Sequence, residues 1–213
     1  MIGLDKTLPL LLALCITLLP ACTERSRTSL DITEKDAQEG DLAFRRGVSR
    51  HSRAVGMVST QYSHVGIVVD SGGGNLRVVH AVAGEPRFPG DRDSVRMDRL
   101  ADFYRADRAE AGCLMRSADK KAAHIAAQTA LRLWRRGTPF DGAFDETDTT
   151  AMYCTELAAY AYRLAGHDIA GKRRRPLHLP WTHESCITPD QLLSCPLLKR
   201  AKTADTSPKD NAH

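Results

Sequence analysis

Three residues of this chain have the types needed to move an acyl group: Cys154, His64 and His80. Cys154 opens an apolar stripe, with Leu157, Ala158, Ala161 and Ala165, that predicts a helix over about residues 152–165. A thiol in the first turn of such a helix faces unpaired backbone N–H groups, which favour the thiolate and so raise its reactivity. Read alone, the same cysteine also suits a small core position. His64 begins one run of β-branched residues and His80 ends another, on either side of the glycine-rich stretch Asp70-Ser71-Gly72-Gly73-Gly74. That pattern predicts a hairpin. A three-residue loop at Ser71-Gly72-Gly73 would pair Asp70 with Gly74 and set His64 directly opposite His80, with Cβ atoms roughly 5 Å apart. A one-residue slip would send the two rings to opposite faces. Facing imidazoles read as a general base, His64, and its orienting third residue, His80, which with the thiol complete a nucleophile–base–orienter set.

The elements around these residues are those of an α+β domain with an antiparallel sheet packed against helices. Gly40 to Phe44 reads as a turn entering a strand, 50–60 as a short helix, 98–104 as another, and 112–116 as a strand. Ser117 reads as the N-cap of a strong helix that carries Ala122, Ile125, Ala126, Thr129, Ala130 and Leu133 and ends at Gly137. With 213 residues, 42% hydrophobic and 26% charged, the chain can bury one core. The net charge of +4 is mild and the signs are interspersed, so no nucleic-acid partner is indicated. The densest basic run, Lys172 to Arg175, reads as an exposed loop or an anionic-surface contact.

Residues 8–19 form an apolar run too short to span a bilayer, which needs roughly twenty residues, and they suit the core of an export signal. The run ends at Leu19-Pro20-Ala21-Cys22, which resembles a bacterial lipobox. This divides the chain into a lipoprotein signal peptide (1–21), a lipidated N-terminus at Cys22 with its tether (22–37), a catalytic domain (38–198) and a flexible tail (199–213). The resemblance implies an envelope protein held by acyl chains, and Thr23 after the cysteine favours the outer membrane facing the periplasm. Of six cysteines, Cys15 leaves with the signal and Cys22 takes lipid. Cys154 must stay reduced to act, so at most one disulfide can form among Cys113, Cys186 and Cys195.

Gly40-Asp41-Leu42, Tyr62-Ser63-His64-Val65-Gly66-Ile67, Val79-His80-Ala81, Phe140-Asp141 and Tyr153-Cys154-Thr155-Glu156-Leu157 occur in that order, followed by Thr188-Pro189-Asp190-Gln191-Leu192. Together they resemble the motifs of the YiiX/YebB-like hydrolases, the circularly permuted branch of the NlpC-type papain-like superfamily, over residues 38–198. The resemblance implies a permuted papain-like fold and a cysteine peptidase or amidase, with Cys154 as nucleophile, His64 as base and His80 as third polar residue. Many members of this branch carry a Glu where this chain has His80. A histidine there would lose its acceptor on protonation near pH 6.5, so activity should fall in mild acid and His80→Glu should broaden the acid limb. Tyr62 is offered as a second oxyanion donor beside the Cys154 N–H, and Glu156 as an anchor for the loop before the helix or a helix-end charge. No cofactor or metal is called for. Substrates of this kind are peptides, cell-wall fragments or lipid acyl groups. The alternatives are a lipid acyl hydrolase or acyltransferase using the same residues, and a non-catalytic envelope protein binding zinc through His64, His80 and Cys154.

Overall fold

A computed structural model describes residues 30–176 and 185–205. The expected signal peptide, Cys22 and the end of the expected tail lie outside the described residues. Thirteen elements follow in order: β1 (Leu42–Gly47), α1 (Arg50–Val55), β2 (His64–Asp70), β3 (Leu76–Val82), β4 (Ser94–Arg99), α2 (Leu100–Phe103), β5 (Ala109–Ser117), α3 (Lys120–Arg135), α4 (Cys154–Leu164), β6 (Arg175–Pro176), β7 (Ser185–Cys186), α5 (Pro189–Leu193) and β8 (Leu198–Asp205). Six strands form one antiparallel sheet in the order β4-β3-β2-β1-β5-β8, and β6 pairs with β7 apart from it. The fold class is α+β, as expected. No helix among the described residues is long and apolar enough to cross a membrane.

The alternation of side chains along β2 decides what each face of the sheet holds. Val65, Ile67 and Val69 pack with α3 and α4 in the larger core cluster. Val68 points the other way, into a second cluster with Ala43, Val78, Leu100, Phe103 and Leu114. His64, at the start of the strand, shares the parity of Val68, and its ring lies against His80 and Phe103. Leu30, Ile32 and Ala37 close that second face, which corrects the tether reading: the folded unit begins before residue 38.

The hairpin loop is longer than expected. Asp70 pairs with Leu76 rather than Gly74, and the loop spans residues 71–75. Asp70 Oδ1 accepts hydrogen bonds from the N–H groups of Gly72 (2.8 Å) and Gly74 (3.2 Å), while Gly72, Gly73 and Gly74 all hold positive φ. Three successive left-handed residues need glycine. The register therefore moves by two: Ile67 faces Val79, which sets His80 opposite Gly66 rather than His64. A shift of two keeps both rings on one face.

Two strands of the six-stranded sheet escaped the sequence reading. β4 holds Asp98, expected in a helix that begins instead at Leu100, and β8 runs from Leu198, the last residue of the expected domain, into the expected tail. α3 is capped not by Ser117 but by Asp119, whose side chain accepts from the Ala122 N–H.

Candidate active site

α4 begins at Cys154, and the loop before it is tied down by a buried carboxyl. Glu156 Oε2 accepts the Tyr153 N–H at 3.2 Å, and burial pushes this group up to about 8. Glu156 is therefore the loop anchor rather than a helix-end charge. On the other side, Thr155 Oγ1 donates to the Ile187 carbonyl at 2.6 Å and the Ile187 N–H donates to the Tyr153 hydroxyl at 3.1 Å. Both flanks of Cys154 are thus pinned to the segment after β7.

Cys154 and His64 line one cleft, whose apolar walls include Val82, Phe140, Phe144 and Tyr153. Backbone N–H groups of Val65, Thr155 and Cys154 pull the thiol toward its anion, but burial outweighs them and pushes it up to about 11. The helix end does not generate a thiolate by itself. No hydrogen bond joins the sulfur to the His64 ring among the described residues. His64 is instead engaged at Nε2, which lies 2.8 Å from His80 Nδ1, and Nδ1 is the nitrogen left for a thiol. Burial, then the charges of Arg45, His80 and Arg96, hold His64 well below the usual imidazole range, and burial holds His80 below it as well. Both rings are neutral at neutral pH.

His80 does not end the chain of contacts. Its Nε2 lies 3.1 Å from Asp98 Oδ2, which also accepts from Arg108 at 3.0 Å. Arg45, wholly buried and paired in register with His64, stacks over Phe103 at 4.7 Å and binds Glu85 at 2.6 Å. Sequence reasoning missed Asp98, Arg108 and Arg45. The only sequence signal for Asp98 was the alternation in Ser94-Val95-Arg96-Met97-Asp98-Arg99, which puts Val95 and Met97 on one face and Arg96 and Asp98 on the other.

Other expected site residues stand elsewhere. Tyr62 is a packed aromatic whose hydroxyl faces Cys113 and Arg200, with burial pushing it up to about 12, and it does not reach the Cys154 cleft. It is not an oxyanion donor here. Cys113, Cys154, Cys186 and Cys195 are all free thiols. Asp41 pairs with Arg116 at 2.7 Å, Asp141 accepts the N–H groups of Ala143 and Asp145, and Asp190 accepts those of Thr60 and Gln61, so the three motif aspartates brace loops.

No protein-family model and no curated protein matches the chain. Among solved structures, the metalloprotein YiiX from Escherichia coli O157:H7 matches 78% of this chain and 97% of its own, with a TM-score of 0.62 at 21% identity. The chain has the fold of YiiX. Among the described residues no group of three or more His, Cys, Asp or Glu is placed to hold a metal ion. The 2.8 Å between His64 and His80 nitrogens is a hydrogen-bond distance, with a proton between them.

Proposed function

We propose that this YiiX-like chain is a cysteine hydrolase of the permuted papain-like type, cleaving an amide-type bond in a peptide or cell-wall substrate. The observation that carries the reading is the cleft shared by Cys154, at the start of α4, and a His64 ring already held through Nε2 by His80. In the reaction, His64 Nδ1 takes the thiol proton as the sulfur attacks the carbonyl carbon. The tetrahedral oxyanion is held by the Cys154 N–H. Collapse breaks the C–N bond, and His64 returns the proton to the leaving amine. Water, activated by the same nitrogen, then hydrolyses the thioester and restores the thiol. Contacts of this kind are often long in a ligand-free site and tighten on binding substrate.

The apolar walls at Val82, Phe140 and Phe144 favour a second reading, hydrolysis or transfer of a lipid acyl group by the same residues. Incubation with peptidoglycan fragments and with phospholipid vesicles, followed by mass spectrometry of the intact protein, separates the two. A covalent acyl adduct confined to Cys154 is expected, lost in Cys154→Ser and slowed on the order of 10²–10⁴-fold in His64→Ala. Adducts on another cysteine, or an unaltered rate without the imidazole, would refute the assignment.

The anchor belongs to the same proposal: acylation at Cys22 holds the protein to an envelope membrane, the outer one facing the periplasm. Cys22→Ala should release the protein to the soluble fraction, and unchanged membrane fractionation would overturn the anchor alone.

A further inference from the structure

We infer that Asp98, braced by Arg108, is a positioning residue that fixes the direction of the protons along His80 and His64, so that His64 presents a bare Nδ1 to Cys154. This rests on the cysteine–histidine reading of the site, but its decisive readout does not.

Asp98 is buried on β4, and its Oδ2 lies 3.1 Å from His80 Nε2 and 3.0 Å from an Arg108 nitrogen. An ionised carboxylate only accepts. The proton in the Asp98–His80 contact therefore sits on His80 Nε2. A neutral imidazole carries one ring proton, so His80 Nδ1 has none and must accept. His64 Nε2, 2.8 Å from it, must then donate. That spends the single proton of His64 and leaves its Nδ1 as a lone pair.

Reversing the outermost link reverses all of them. A donor in place of the carboxylate would take up the His80 Nε2 lone pair, put a proton on His80 Nδ1, turn His64 Nε2 into an acceptor and protonate His64 Nδ1. The ring would then offer the thiol an N–H and could not take its proton.

The surrounding charges support neutral rings. Arg45 is matched by Glu85 at 2.6 Å, Arg96 by Asp91 at 3.1 Å and Arg108 by Asp98 at 3.0 Å. Each of these guanidiniums has a carboxylate partner, Asp91 being shared with Arg87, and none of those carboxylates is left over to balance an imidazolium. Burial lowers the affinity of both rings for a second proton.

The test is the ¹⁵N spectrum of the His64 and His80 side chains at neutral pH, in wild type, Asp98→Asn and the charge-balanced double variant Asp98→Asn/Arg108→Gln. The double variant keeps the measurement open if the single one, with its unpaired Arg108, fails to fold. Wild type should show both rings as the Nε2–H tautomer. In the variants the unprotonated-nitrogen signal of His64 should move from Nδ1 toward Nε2, and the rate of Cys154 acylation should fall with substrate binding unchanged. A wild-type His64 protonated at Nδ1, or a tautomer indifferent to loss of the carboxylate, would overturn the inference. Reversal of the tautomer in a protein that acylates nothing would leave the inference standing and remove the hydrolase reading. An active enzyme with unmoved tautomers would do the opposite.

Discussion

At neutral pH the Cys154 thiol keeps its proton, because burial pushes it up to about 11, and the His64 ring lacks a second one. The resting pair is thus thiol and imidazole rather than thiolate and imidazolium. It follows that iodoacetamide should alkylate Cys154 slowly near neutrality, at a rate that rises about tenfold per pH unit, since only the thiolate reacts. A plateau below pH 7 in the pH–rate profile would demonstrate an ion pair instead. The acid limb expected from His80 also changes. Burial puts protonation of both rings below the ordinary 6.5, so the acid limb should lie lower than that of an exposed imidazole. His80→Glu would set a second carboxylate against Asp98 and cost the acceptor it was meant to supply. Residue types and spacing were enough to find Cys154, His64 and His80. They could not find Asp98 or Arg108, because charged residues in a strand look like a solvated face until the layer covering them is known.

Gly66 is the position that lets the two rings meet. It stands opposite His80, and a Cβ built there would come within 2.9 Å of the His80 Cβ and 2.5 Å of a Val78 methyl. Gly66→Ala should therefore destabilise the fold by about 1–3 kcal/mol, the usual cost of overpacking, and should displace His80 from His64. Urea denaturation measures the first effect and the His64 ¹⁵N signals the second. A stable variant with unshifted histidine signals would show that the strand pair has slack. The hairpin also shows which part of register is legible. Alternation fixes parity, so both histidines were correctly put on one face, whereas loop length depends on glycine φ values and the Asp70 bonds that type counts do not reveal. β8 was invisible for a related reason. An edge strand such as Leu198-Lys199-Arg200-Ala201-Lys202-Thr203-Ala204-Asp205 takes its order from backbone pairing with β5 and needs no apolar stripe.

For the molecule as a whole, two buried neutral histidines make folding sensitive to acid. Their folded values lie below the ordinary 6.5, so between those values and 6.5 the unfolded chain binds more protons than the folded one. Stability from this source is complete above about pH 6.5 and declines as pH falls. Asp98, held well below its ordinary 3.8 by His80 and Arg108 despite its burial, extends the loss below that value. The urea midpoint should accordingly decline from pH 7 to pH 5, and a flat profile would mean the rings are protonated in the native state. The α+β class was readable because the strand-period runs come before the two long helical stripes. The limits of the folded unit were not, since Leu30 and Ile32 gain their burial only from the face of a sheet assembled far downstream. The order of the elements carries a consequence for synthesis. His64, His80, Asp98 and Arg108 fall within one stretch of forty-five residues, on β2, β3, β4 and the approach to β5, all preceding α4. A growing chain that folds as it emerges can assemble this histidine relay before Cys154 is added, so under the proposed mechanism no acylation can begin until the last third of translation.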